Sequence, residues 1–538
     1  MLNFSRRCSP LSRTSASVAL GLLVSLSLIA CGDSSDSGGS SDGSYGATGD
    51  SSSAGESGFG GTSGGWDPTG DSSGGPSGTT GGATGSEPDE EPPEEEPPEE
   101  MKCDDETPVV LYLSPDDSNS MSSPVQAREA VLGTFGSLSN VPVRTYEFMN
   151  YYTFQYPAAE AGKLNLTTEL LKVEETEDRS EFVLQIGVSS DLVTNEDRAP
   201  LNLTLVLDES GSMSGKPMEM QKESCRAIAA SLKAGDIVSA VGWDTSNAIK
   251  LGGYTVEGPD DSQLLAVCNG LEAGGGTDLA GGLKAGYQLA EASFDAERIN
   301  RIVLISDGGA NVGITNEEII AEHAGANNED GIYMVGVGVG DATSYNDLLM
   351  DTVTDIGKGA SVFIPNTEEA WKIFNTQFVN TLAVSARDVQ VELELPPGFA
   401  IVKFSGEEYS TDPAEVEPQH LAPNDAMVFY QQIETCAPSL VQPDTPVNVT
   451  VRYKDAVTFE ERVVEDSITF GDLMGDSSLN LLKGRAIYTY AEALKAQSDF
   501  EADPAVAVTE AFLALEAAEA ALPEDAELAE IRTVLEAL

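Results

Sequence analysis

Between residues 201 and 382 six short apolar runs alternate with stretches of helical period, a pattern that calls for strands of one open sheet covered by helices on both faces. The runs are LNLTLVLD, DIVSAVGW, AIKLGGYT, RIVLISD, GIYMVGVGVG and ASVFIP. Helix starts are marked between them by Pro217, by Thr315 with Glu318, and by Ser344 with Asp347. The second and third runs lie too close together for a helical crossover. They are expected as an antiparallel edge hairpin on an otherwise parallel, doubly wound α/β sheet.

At 538 residues the chain exceeds what one core can organise. Composition divides it into residues 1–30, 31–105, 106–198, 199–384, 385–472 and 473–538. Residues 106–198 read as a mixed α+β module, whose aromatic run VRTYEFMNYYTFQYP (143–157) is expected in a core. In 385–472 the period falls to two, as in VNVTVRY, and predicts a β-sandwich-like module. Residues 473–538 carry Ala, Leu and Glu at helical spacing and predict two or three helices. The segment 31–105 is Ser- and Gly-rich, then EPDEEPPEEEPPEE. It cannot bury enough apolar surface to fold, and as a flexible tether it reaches roughly 45 Å.

Lys and Arg number 29 against 89 Asp and Glu, a formal charge of -60, which disfavours nucleic acid and anionic membrane as partners. Residues 1–30 hold Arg6, Arg7 and Arg13, no acids, and then an apolar run too short for a membrane span, so they read as a secretory signal. Four cysteines, 103, 225, 268 and 436, then remain for an oxidising compartment, and three pairings can be drawn. Cys225 and Cys268 fall on core-facing helix positions and read as free thiols or as a bridge. Cys103 and Cys436 are a candidate bridge.

Three elements converge on the carboxyl edge of the expected sheet, where open α/β sheets place their sites. They are Asp208, Ser210 and Ser212 after the first strand, Thr277 after the glycine turn GGG, and Asp307 ending RIVLISD. Alternation in D-x-S-x-S directs its three side chains to one side. Two carboxylates and three hydroxyls, without His or Cys, form a hard oxygen set suited to Mg²⁺ or Mn²⁺. An ion held mainly by hydroxyls stays electron-poor, and should take a further carboxylate from outside.

DESGS, the threonine of GGGTDL and the aspartate of LISDGGANVG, in that order, resemble the metal-ion-dependent adhesion site of the von Willebrand factor type A domain, a Rossmann-like fold. By that resemblance Ser210, Ser212 and Thr277 bind the ion directly. Asp208 and Asp307 act through water or switch to direct contact. Asp244 reads as an outer-shell residue or a solvent-facing loop carboxylate, and Asp278 as a helix-start residue. The flanks RTYEFMNYYTFQYP and LAVSARDVQVELELP resemble those of bacterial type A lipoproteins with companion N- and C-terminal regions. LIAC at 28–31 resembles their lipobox, which implies lipidation of Cys31 and, with Gly32 following, sorting to the outer membrane. In related domains the last helix shifts with affinity. Here that helix is TEEAWKIFNTQFVNTL (367–382), with Trp371 expected beneath it.

The resemblance implies adhesion or envelope assembly through a protein ligand that supplies an Asp or Glu carboxylate, with the membrane reached only by the lipid anchor. Catalysis is not expected. His323 and His420 lie far from the strand-end motifs in sequence and read as surface residues, so Ser210 and Ser212 lack a base. GSMSGKP is one residue short of a phosphate loop and has Pro217 where Ser or Thr is needed.

Overall fold

A computed structural model describes residues 103–115, 120–133, 138, 141–176, 179–309, 331–474, 478–499 and 502–538. The chain divides into two units, Met1–Glu95 and Glu96–Leu538, and the described residues all lie in the second. The signal, Cys31, the tether through residue 102, the Thr315–Glu318 capping box and His323 fall outside them. No helix among the described residues is long and apolar enough to cross a membrane.

The chain begins with β1 (Val109–Ser114), α1 (Ser122–Leu132), α2 (Thr145–Tyr151), β2 (Asn165–Glu175) and β3 (Ser180–Ser189). The α/β domain follows with β4 (Leu201–Asp208), α3 (Lys216–Ser231), β5 (Ile237–Trp243), β6 (Asn247–Thr255), α4 (Ser262–Asn269), α5 (Leu279–Ala292), β7 (Ile299–Ser306) and β8 (Tyr333–Val339). It ends with α6 (Asp347–Gly357), β9 (Ser361–Ile364), α7 (Thr367–Trp371), a π-helical turn (Lys372–Thr376) and α8 (Phe378–Leu382).

All six expected strands form one sheet in the order β6-β5-β4-β7-β8-β9, parallel throughout except for the antiparallel edge pair β5–β6. Every residue of the central β4 is buried, as a strand covered on both faces must be. Leu203, Leu205 and Leu207 pack with Ile228, Phe374 and Phe378 on one face. Val206 packs with Trp243, Leu283 and Tyr287 on the other. Gly286 brings α5 down onto the sheet, since a Cβ there would stand 2.5 Å from a methyl of Val206.

The two flanking modules expected from the sequence share sheets. β10 (Ala386–Leu395), β11 (Phe399–Phe404), β12 (Glu408–Ser410), β13 (Gln419–Leu421), β14 (Ala426–Thr435), β15 (Pro446–Asp455) and β16 (Glu461–Thr469) build them with β1, β2 and β3. One sheet runs β12-β1-β10-β15-β16, with β13 beside β10, and the other runs β11-β14-β3-β2. Their inner faces enclose a core that includes Phe182, Leu184, Val391, Leu393, Phe429, Val449 and Phe470. Strand period identifies the strands but carries no information about partners hundreds of residues away, so the sequence separates what pairing unites.

A short helix, α9 (Phe470–Leu473), leads to α10 (Leu479–Lys495), α11 (Pro504–Ala521) and α12 (Ala526–Leu535). The aromatic run supplies Phe148, Tyr151 and Tyr152 to the core beside Tyr490 of α10, with Phe148 meeting Tyr490 edge-on at 5.4 Å. Arg128 of α1 joins Glu369 of α7 at 3.0 Å and Glu530 of α12 at 2.9 Å, so one guanidinium links the last helical segment of the α/β domain to the C-terminal helices.

Three local expectations are corrected. Asp347 does not cap α6 with Ser344: its carboxylate accepts from Ser122 and Arg144, because a buried guanidinium outcompetes a helix-end amide. Trp371 is 37% exposed, not packed beneath the last helix, which widens into a π turn immediately after it. His420 is not a surface residue. It lies against Tyr333, and burial followed by the charge of Arg387 holds its imidazole down to about 3. Cys103 is bonded to Cys436, and Cys225 to Cys268.

Candidate metal centre

The turn that leaves β4 sets the site. Asp208 is its last residue and is fully buried. One carboxylate oxygen accepts from the Ser210 amide at 2.8 Å and the other from the Ser306 hydroxyl at 2.6 Å. Gln221 of α3 donates to the Asp208 carbonyl at 2.8 Å and holds the strand end from below. Burial raises the Asp208 carboxyl above the usual carboxylate range and the charge of Asp307 adds to this, while the hydrogen bonds from Ser210 and Ser306 oppose it.

From there the polar atoms step outward. The Ser210 and Ser212 hydroxyls are 3.1 Å apart, and Ser212 donates to Asp307 at 3.2 Å. Ser210 is buried whereas Ser212 is exposed, so the row runs from the sheet edge to solvent. Asp307 also accepts from the Gly309 amide at 2.9 Å. Gly308 adopts φ 76°, and a Cβ there would stand 2.3 Å from the Asn346 carbonyl, so only glycine lets the Asp307 turn lie against the loop that begins α6.

The Thr277 loop reaches the same edge through its backbone. Gly274 donates to the Glu209 carbonyl at 2.8 Å, and a Cβ on Gly211 would meet the Gly275 carbonyl at 3.4 Å. Thr277 is exposed and no hydrogen bond ties its hydroxyl to the other four residues. Asp278 is the N-cap of α5, accepting from the Gly281 amide at 3.0 Å. Asp244 serves the β5–β6 turn, where it accepts from Ser246 at 2.9 Å, and its carboxylate lies against Gly275. Sequence reading missed Ser306 and Gln221. The first is signalled only by standing beside Asp307, and the second by nothing local.

The donor set fits a hard divalent cation. Among the described residues no group of three or more His, Cys, Asp or Glu could hold an ion, so an ion here depends on hydroxyls. No Lys or Arg among the described residues pairs with Asp208 or Asp307, although Glu209 next in chain pairs with Lys250 at 2.7 Å. A buried carboxylate beside a second one, with clustered hydroxyls and no protein cation, is the environment in which a bound metal stabilises most.

Residues 203–310 match the family model of the von Willebrand factor type A domain. That match and the sheet topology define a domain of this class. The chain is 27% identical over 266 residues to the uncharacterized protein YfbK of Escherichia coli (strain K12), covering 48% of this chain and 45% of that protein. It is 28% identical over 226 residues to the uncharacterized protein sll0103 of Synechocystis sp., covering 42% and 52%. The chain thus spans about half the length of the curated relatives it matches. A solved von Willebrand factor type A structure from Catenulispora acidiphila aligns at 15% identity with a TM-score of 0.42, covering 66% of this chain and 86% of that one.

Proposed function

We propose that the chain is a divalent-cation-dependent protein-binding lipoprotein, acting in adhesion or envelope assembly. The observation that carries this is the row Ser210, Ser212, Asp307 at the solvent edge, backed by a buried carboxylate that no arginine or lysine neutralises. Ser210, Ser212 and Thr277 would hold Mg²⁺ or Mn²⁺ directly, with Asp208 and Asp307 binding through water or directly. The metal supplies the positive charge that lets so acidic a chain take an Asp or Glu carboxylate from a protein ligand. In this reading Cys31 carries the lipid, the segment 31–105 lifts the folded part from the outer membrane, and no substrate is turned over.

A structural metal is the second reading, favoured by the burial of Asp208 and Ser210. Calorimetry and thermal melting of the whole chain with Mg²⁺, Mn²⁺ or chelator separate the outcomes. Wild type should bind and gain melting temperature, and Asp208→Ala and Thr277→Ala should lose both effects. No response in the wild type overturns the proposal. Metal binding with envelope pull-downs unchanged in Asp208→Ala establishes the structural reading instead.

A further inference from the structure

At the opposite pole of the α/β domain, where it meets the sandwich, a partly open cavity of about 240 Å³ is lined by the α6–β9 turn with Lys358, by sheet residues and by three further parts of the chain. These are the β13–β14 turn, the aromatic segment after α2, and the π turn with α8. Tyr152, Phe154 and Tyr156 give it an apolar lining, with Phe154 stacked on Tyr156 at 6.1 Å.

Three polar groups in the lining are unused by the fold. Asp425 has its backbone pinned on both sides by Ser190, yet among the described residues its carboxylate accepts only from the next amide, that of Ala426, at 2.8 Å. Burial pushes that carboxyl up to about 6, and no basic side chain opposes the shift. The side-chain oxygen of Gln377 is buried without a hydrogen-bond partner. Its position follows from the π turn, in which the Gln377 amide reaches back to the Lys372 carbonyl at 2.8 Å. Lys358, in the left-handed conformation that ends α6, lines the cavity and joins no ion pair among the described residues. Arg301 and His420 line it too, but Arg301 is stacked on Tyr333 at 4.9 Å and His420 is kept neutral by burial.

A half-buried carboxylate and a buried orphan amide oxygen both want donors, and leaving them unmet is costly. An ammonium group in the cavity meets the carboxylate, and it meets the amide oxygen, which is closed off from a water-sized group, once the Gln377 side chain turns toward it. The aromatic lining favours an apolar body on the same molecule, and the lysine favours an anionic end. The volume falls below the range of about 300–1,000 Å³ common for larger ligands, which limits the occupant to amino-acid size.

We propose that this cavity binds a small apolar amino acid as its zwitterion, the ammonium held by Asp425 and Gln377 and the carboxylate by Lys358. The bound molecule would brace Gln377 at the widest turn of the last helical segment.

The test is calorimetry of the whole chain, well above the titration of Asp425, with L-leucine and L-phenylalanine and with their N-acetyl and methyl ester derivatives. Binding of the free amino acids with loss of at least about tenfold in affinity for both derivatives supports the proposal. Asp425→Asn keeps the shape and should weaken binding by at least about tenfold, as should the surface change Lys358→Met. Absence of binding by either amino acid overturns the site, with waters as its occupants. Methyl esters that bind as tightly as the free acids, or unchanged affinity in Lys358→Met, overturn the zwitterion in favour of a plain ammonium. A folded Asp425→Asn that binds as well as wild type overturns the assigned role of that residue and with it the proposal.

Discussion

The two ends of the α/β sheet are built on opposite electrostatic plans. At the carboxyl end Asp208 and Asp307 sit among hydroxyls and pair with no Lys or Arg among the described residues, and an ion pair at the rim, Lys216 to Asp341, is largely exposed. At the amino end the chain concentrates arginine. Arg198 clamps the fully buried Asp236 with two bonds of 3.0 and 2.6 Å, and Arg298 donates to the carbonyls of Leu201 and Gly235. Arg301 and Arg387 both lie over the Tyr333 ring, at 4.9 and 5.5 Å from its centre. An acidic chain with 29 basic residues thus places several of its arginines at the base of the domain and pairs none of its cations with Asp208 or Asp307 among the described residues. Structural charges are neutralised internally, whereas functional ones are left for a ligand to neutralise.

The contrast can be broken most severely at the base. Arg198→Met leaves Asp236 buried and unpaired, and denaturant unfolding should show a loss of about 3–5 kcal/mol. A smaller loss would mean that the amino end is not locked by its charges.

Removing the disulfide of the sandwich comes next. Cys103→Ser with Cys436→Ser frees a separation of 333 residues and should cost about 2–4 kcal/mol, more than opening Cys225–Cys268, whose separation is 43. The metal response of the double variant should match wild type, because the bridge lies in the sandwich and not at the carboxyl end.

Acid tests the base again. His420 stays neutral in the folded chain down to about pH 3, whereas in the unfolded chain it takes up its proton near the ordinary value of 6.5. Stability from this group is complete above pH 6.5 and falls as the pH drops toward 3, by roughly 2 kcal/mol near pH 5. His420→Phe should flatten that decline in thermal melts across the same window.

The smallest effect belongs to the rim of the metal end. Lys216→Ala removes a bond of 2.6 Å between side chains 40% and 63% exposed, and stability should move by less than about 0.5 kcal/mol. A larger change would show that the carboxyl end is held by its ion pairs after all.

Legibility followed the same division. Asp208, Ser210 and Ser212 stand in one motif, and Asp307 ends an apolar run, so chain order alone put four candidate ligands at strand ends. Thr277 came from a glycine turn. Ser306 and Gln221 were invisible because a serine before a strand-end aspartate and a glutamine inside a helix have many ordinary uses. Asp347 and Trp371 were misread for a related reason: the sequence shows a helix start and an aromatic, not the guanidinium or the π turn that claims the neighbourhood.

What the residues determined unaided was the α/β domain and its antiparallel edge, because side-chain period and connection length are local properties. They also gave the donor chemistry of the candidate site, since the hardness of an oxygen set is written in residue type. Only the tertiary structure decided that β1, β2 and β3 complete sheets begun by strands beyond residue 385, as in the pairing of Ser189 with Ala426. It alone decided which cysteines meet, where the arginines gather, and that His420 lies against Tyr333 while Asp425 is half-buried. Each of these depends on contacts between positions far apart in the chain, and such contacts leave no period for a local reading to find.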